Sequence, residues 1–150
     1  MDTERSKAIA RKLVNASNEG DLSRFRDVVQ DVVAEDFVGH VAGAPDFHGR
    51  DGYFEAVSAF HSAFSDLRID LLDLVAEDDR LVLHYLWSGT HRGPFLGIPP
   101  TGRSVSVPEV AVARVSDGQL VEEWDFTDNL DLFRQLGIDI EPQVREAGAS

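Results

Sequence analysis

The amino-acid sequence predicts an α+β domain, a curved and largely antiparallel sheet with its helices gathered on one side. Three features carry this expectation. Apolar residues recur at helical spacing in the first part of the chain. They alternate at strand spacing in the second part, and tight-turn residues divide that part into consecutive hairpins.

From Thr3 to Asn18, Ala8, Ile9, Leu13 and Ala16 fall near helical spacing with charged residues between them, as in an amphipathic helix. Glu19-Gly20-Asp21 stops that helix and caps the next, whose stripe is Leu22, Phe25, Val28, Val29 and Val32. A short strand from Asp36 to Val41 follows, and Gly43, Pro45 and Gly49 mark a loop. Asp51 is placed to cap a third helix carrying Phe54, Val57, Phe60 and Phe64. Strands are expected at Leu67 to Ala76, Arg80 to His91, Ser104 to Val115 and Gln119 to Thr127. Asp78-Asp79, the stretch from Gly93 to Gly102, and Asp117-Gly118 are the turns between them; Asp-Gly is a strong hairpin signal. A last helix runs from Leu130 to Leu136 and ends at Gly137. Residues 1–140 form one domain, and Glu141 to Ser150 reads as a loose tail.

The chain has 150 residues, 43% of them hydrophobic, enough for one globular domain with a real core. A formal charge of -13 repels phosphate backbones and anionic headgroups, which argues against nucleic-acid and membrane partners. No apolar run approaches the roughly 20 residues a membrane span needs. The N-terminus leads into charged helix rather than a signal-peptide core. There is no cysteine, which excludes disulfides and thiolate chemistry and is compatible with the cytoplasm.

On the Ser104–Val115 strand, Val105, Val107, Ala111 and Ala113 share one face, and Val110 and Val112 lie on the other. Both faces are apolar, so both call for a cover. Helices supply one; a second copy of the chain, in a homodimer, is the simplest supply of the other.

The residues able to do chemistry cluster late in the chain. Alternation puts Glu123, Asp125 and Thr127 on one face of the last strand, and the neighbouring strand offers Glu109. A carboxylate in an apolar pocket loses solvation, its pKa rises, and it can exchange a proton near neutral pH. His40 ends the first strand, either at the pocket mouth or in a surface loop. The five histidines show no metal-binding spacing; His84 and His91 are seven apart on one strand and face opposite ways. No metal and no cofactor is expected. The pocket walls are expected to include Phe25, Val38, Phe54, Phe60, Leu83, Trp87 and Val107, which suits a flat hydrophobic ligand.

The stretch Gly89-Thr90-His91-Arg92-Gly93-Pro94-Phe95-Leu96-Gly97-Ile98-Pro99-Pro100-Thr101-Gly102-Arg103 resembles the signature loop of SnoaL-like polyketide cyclases. Arg114-Val115-x-Asp117-Gly118, then Val121-Glu122-Glu123-Trp124-Asp125-x-x-Asp128 and Leu132-x-x-Gln135-Leu136-Gly137, continue that pattern in order. The resemblance implies an NTF2-like cone, a curved sheet wrapped around a deep pocket and usually dimeric. It also implies ring closure by an intramolecular aldol step without metal or organic cofactor. It places the proton-transferring acid at Asp125. Ala111 stands where these cyclases usually carry a pocket histidine, and Glu109 on the same face is the residue able to compensate. Three readings stay open: a cyclase or isomerase acting on a polyketide-like ketone, a related tailoring enzyme (a hydroxylase, or an epoxide hydrolase using Arg103 or Arg114), and a ligand-binding domain without catalysis.

Overall fold

The computed structural model describes residues 2–139. Helices α1 (Thr3–Glu19) and α2 (Leu22–Val32) form a hairpin, each opened by an aspartate cap. Asp2 accepts from the amides of Glu4 and Arg5, and Asp21 from those of Ser23 and Arg24, satisfying donors that lack partners at a helix start. Strand β1 (Val33–Val41) follows directly, starting earlier than Asp36 because Val33 already has extended backbone angles. The short β2 (Phe47–His48), absent from the sequence reading, pairs with β1 through Gly39 and Val38. Helix α3 (Gly49–Ala63) has His48, not Asp51, at its cap position; Asp51 sits in the first turn, within 3.4 Å of Arg26.

Four strands complete the sheet: β3 (Arg68–Glu77), β4 (Arg80–Thr90), β5 (Ser104–Ser116) and β6 (Gln119–Thr127). The spatial order is β2-β1-β6-β5-β4-β3. All neighbours are antiparallel except β1 and β6, which run parallel. Register shifts near Leu72, Val121 and the start of β1 bend the strands, as β-bulges do, and curl the sheet. Helix α4 (Asn129–Gln135) closes the open end. The tail expected from Glu141 lies outside the described residues. No helix among the described residues is long and apolar enough to cross a membrane.

The inner sheet face and the three long helices share the main core, centred on Phe25, Val29, Val33, Phe37, Leu81 and Val115. A second core, with Phe64, Trp87, Val107 and Leu132, fills the end capped by α4. Gln135 acts there as an artificial strand edge: its amide accepts from the Ser106 N–H and donates to the Ser106 carbonyl, both at 2.8 Å. The loop between β4 and β5 is pinned beside it. His91, fully buried, receives the Thr101 amide at 3.2 Å, and the amides of Arg92 and Gly93 both donate to the Ala63 carbonyl at 3.0 Å.

The outer face is different. Val75, Val82, Val112 and Trp124 are cross-strand neighbours in one row, and Asp73, His84, Val110 and Phe126 in the next. Within one chain this face stays open: Val75 is 58% exposed and Phe126 54%.

Gly93 is a position where only hydrogen fits. A Cβ there would lie 2.2 Å from the Ser62 carbonyl oxygen, a backbone atom that cannot step aside. Gly97, at the loop tip, has a φ of +77° but open space around it. Gly93→Ala is therefore expected to destabilise the fold by about 2 kcal/mol or more, and Gly97→Ala by roughly 1 kcal/mol. Urea unfolding of the two variants checks the ranking.

Candidate active site

Between the helices and the inner sheet face lies a cavity of about 170 Å³. Helix α1 contributes Ile9, Ala10, Leu13, Val14 and Ser17; α3 contributes Tyr53, Ala56, Val57 and Phe60. Both sets follow the helical repeat, so one face of each helix serves the wall. The sheet contributes alternate residues: Leu81, Leu83, Tyr85 and Trp87 from β4, Glu109 and Ala113 from β5, Glu123, Asp125 and Thr127 from β6. The wall is apolar and aromatic apart from a few polar groups, the usual make-up of a small-molecule site. Among the described residues, no lysine, arginine or histidine lines it.

The polar groups are concentrated on β5 and β6. Thr127 stands opposite Glu109 across the ladder, and Asp125 opposite Ala111. Glu109, only 9% exposed, accepts hydrogen bonds from the hydroxyls of Tyr85 and Thr127, one on each carboxyl oxygen. Glu123 and Asp125 follow on the same face of β6 and hydrogen-bond to each other through one proton.

Three acids with no cation beside them cannot all ionise. Burial, then the charge on Asp125, pushes Glu109 up to about 7, against the opposing effect of the Thr127 hydrogen bond. Burial, then the charge of Glu109, pushes Glu123 up to about 7. Burial, then the charge of Glu123 and the bond to it, pushes Asp125 up to about 9. The last two belong to a pair that shares a proton, so they describe the two steps of the pair rather than either residue alone. Near pH 7 the cluster thus holds both a carboxyl able to give a proton and a carboxylate able to take one. Tyr53, whose phenol is also held well above its usual range by burial and by the charges of Glu123 and Asp125, stays neutral.

The structure places Asp125, Glu109, Thr127, Trp87, Phe60, Phe25 and Leu83 on the cavity wall. It places others elsewhere. His40 is on the outer face: Gly39 takes the inward position on β1, so the next side chain must point out. There His40 stacks on Trp124 at 5.4 Å and bonds Glu122 and Asp46, which hold its pKa up. Val38 shares that outward face. Phe54 is one residue off the cavity stripe of α3, and its ring lies under Arg26, 3.9 Å from the guanidinium. Val107 and Ala111 are on the inner face but fully buried; Val107 belongs to the second core and Ala111 to the main core, and neither lines the cavity.

Neither candidate arginine meets the acids. Arg114 pairs with Glu122 on the outer face at 3.4 Å, and Arg103 lies against Gly137. The Asp-Arg-Asp arrangement of an epoxide-opening site is not assembled among the described residues. No group of three or more His, Cys, Asp or Glu among them could hold a metal ion.

Alternation had already put Glu123 on the face of Asp125, though not as a catalytic residue. Several other wall residues escaped the sequence reading. Tyr85 was legible in the alternation Leu81, Leu83, Tyr85, Trp87. Tyr53 was masked by Phe54, its neighbour in sequence. Ser17, which bonds His61 at 3.1 Å, sits where α1 turns from apolar to polar.

Comparisons with known proteins agree with this architecture. Residues 7–136 match the model of the family described as SnoaL-like polyketide cyclase. Aklanonic acid methyl ester cyclase DauD of Streptomyces sp. (strain C5) is 28% identical over 137 residues, covering 86% of this chain and 80% of its own. Aklanonic acid methyl ester cyclase DnrD of Streptomyces peucetius is likewise 28% identical, covering 86% of this chain and 88% of its own. The structure of TsrD from Streptomyces laurentii superposes with a TM-score of 0.80 at 31% identity, over 91% of this chain and 98% of TsrD.

Raised carboxyl pKa values in the folded state tie stability to pH. The folded protein binds more protons than the unfolded chain between the ordinary carboxylate range and the raised values, so stability must fall as pH rises. The loss is expected to begin above about pH 4 and to continue through pH 7 toward 9, following the values of Glu109 and of the Glu123–Asp125 pair. Unfolding midpoints measured from pH 5 to 9 check this. The triple variant Glu109→Gln, Glu123→Gln, Asp125→Asn should show a flatter profile. An unchanged slope in that variant would mean the cluster is not the source.

Proposed function

The chain belongs to the SnoaL-like polyketide cyclase family, and on that premise we propose that it closes a ring in a hydrophobic, polyketide-like ketone by proton transfer from its buried carboxylates. The observation that carries this reading is the carboxylate cluster on an otherwise apolar wall. Aldol ring closure needs a base to take a proton from a carbon next to carbonyl groups, and an acid to protonate the alkoxide that forms. One proton shared between two carboxyl groups provides both.

Asp125 is assigned the contact with substrate. With the shared proton on Glu123, Asp125 takes the activated C–H proton. The resulting enolate attacks the ketone carbon, and the new alkoxide takes a proton back from the same group. Glu123 serves as the store for the second proton. Glu109, held by the Tyr85 and Thr127 hydroxyls, keeps its charge close to the pair and so keeps the pair's affinity for protons high. The apolar wall folds the substrate so that its two ends meet, which removes much of the entropic barrier to ring closure. A methyl ester related to the substrate of DauD and DnrD is the substrate class this reading favours first. The step consumes no redox equivalent and needs no cofactor. We place it in the cytoplasm.

The same reading includes a homodimer formed through the outer sheet face. The exposed apolar rows there, with Trp124 between His40 and Arg80, have the make-up of a surface that a second copy covers.

Asp125→Asn is expected to lower kcat by about 10²-fold or more, with KM changed only a few-fold because the side chain keeps its size. The pH dependence of kcat/KM should be a bell whose limbs follow the two steps of the Glu123–Asp125 pair, near 7 and 9. Wild-type turnover by Asp125→Asn on a verified substrate would end this assignment. For the dimer, Phe126→Lys with Val82→Glu should shift the protein to monomer in sedimentation velocity; a monomeric wild type would refute it.

A further inference from the structure

The two tyrosines of the cavity differ in one respect. Tyr85 is committed to Glu109 by its hydroxyl. Tyr53 also lines the cavity, yet its hydroxyl donates to no described residue and is not sealed off by protein atoms. Its ring, by contrast, is fixed. It meets the Phe37 ring edge-on at 5.3 Å and stacks on Phe25 at 6.3 Å. A side chain so held keeps one orientation, with its single polar atom at the cavity surface. That atom is near enough to Glu123 and Asp125 to feel both charges.

We propose that Tyr53 is a catalytic residue, donating its hydroxyl hydrogen to the substrate carbonyl oxygen that gains negative charge when the adjacent carbon loses its proton. This deepens the cyclase reading and rests on it. The carboxylate takes the C–H proton, and the bonding pair becomes the carbon–carbon double bond of an enolate. The carbonyl oxygen takes the charge while it accepts the Tyr53 hydrogen bond. When the enolate carbon attacks the ketone, the charge moves to the new alkoxide, and the carboxyl proton neutralises it. Among the described donors of the wall, the Tyr85 and Thr127 hydroxyls are both used by Glu109, and the Trp87 indole N–H, though it bonds nothing, is covered by protein atoms. The acids can move the proton, and the Tyr53 hydroxyl is the uncovered donor placed to offset the charge left on oxygen. A fixed donor aimed at developing charge in a dry site is an effective form of stabilisation because it need not reorganise during the reaction. The substrate class narrows accordingly, to a ligand whose acidic carbon is flanked by a carbonyl within reach of α3.

Tyr53→Phe tests this, since it removes one oxygen and leaves the ring contacts in place. Two readouts are needed. The first is binding of 2-naphthol, whose oxygen mimics an enolate, compared with naphthalene, which lacks it. The second is wash-in of deuterium from solvent at the carbons beside the carbonyl of 2-tetralone, followed by NMR. The variant should bind naphthalene as wild type does, which shows the cavity intact, and bind 2-naphthol about 10-fold more weakly, a single hydrogen bond's worth. Its exchange rate should fall about 10²-fold. Exchange unchanged in Tyr53→Phe overturns the proposal whatever the binding shows. If Asp125→Asn alone abolishes exchange, the carboxylate reading stands and the role of Tyr53 falls. A wild-type protein that neither binds 2-naphthol nor exchanges 2-tetralone overturns both.

Discussion

The structure depends on a burden placed on it by its own acids. Glu109, Glu123 and Asp125 sit on a wall made mostly of aliphatic and aromatic groups, with no basic side chain on it among the described residues. Burying an ionised carboxylate without a partner is costly, and burying three together is worse. The chain meets this by keeping protons. One is shared between Glu123 and Asp125, and hydroxyls of Tyr85 and Thr127 support whatever charge remains on Glu109. A cation would lower the strain and also destroy the function, because it would hold the carboxylates ionised and leave no acid near neutral pH.

Everything else positions that cluster. Strand alternation brings Glu123, Asp125 and Thr127 to one side of β6, and the antiparallel register sets Glu109 opposite Thr127. Ala111, opposite Asp125, is packed into the main core. The bulge near Val121 lets Leu120 point inward with Glu123 although they are three positions apart. The helices form the wall facing the sheet, and the Gln135 clamp, the buried His91 and the close approach at Gly93 lock the far end. The stability spent on the acids is recovered in two well-packed cores.

Much of this was legible in the sequence. The helices and the four long strands were marked by periodicity, and Asp117-Gly118 and Asp78-Asp79 fixed the hairpins, where Asp78 and Asp117 do take up positive φ. The inward position of Asp125 and Glu109 followed from alternation alone. What alternation could not give was the phase of a short strand bounded by glycine. One residue of uncertainty on β1 decided whether His40 or Gly39 faced in, and the structure chose Gly39 because the Phe47 ring occupies the space beside it. On α3, Tyr53 and Phe54 are adjacent and about 100° apart around the axis, and both are aromatic. Only the tertiary setting, with Arg26 over Phe54, separates them. The β2 strand had no sequence signal because two residues are too few to show a period.

These acids keep protons at pH values where ordinary carboxylates have lost them. Carbon-13 NMR of the side-chain carboxyl groups, assigned with the single Gln and Asn variants, reads this residue by residue. At pH 6.5 at least one carboxyl of the Glu123–Asp125 pair should still show the protonated shift, and Glu109 should be midway through its titration close to pH 7. If all three carboxyls titrate together near pH 4, as unperturbed groups do, the cavity does not hold the proton on which the whole account turns.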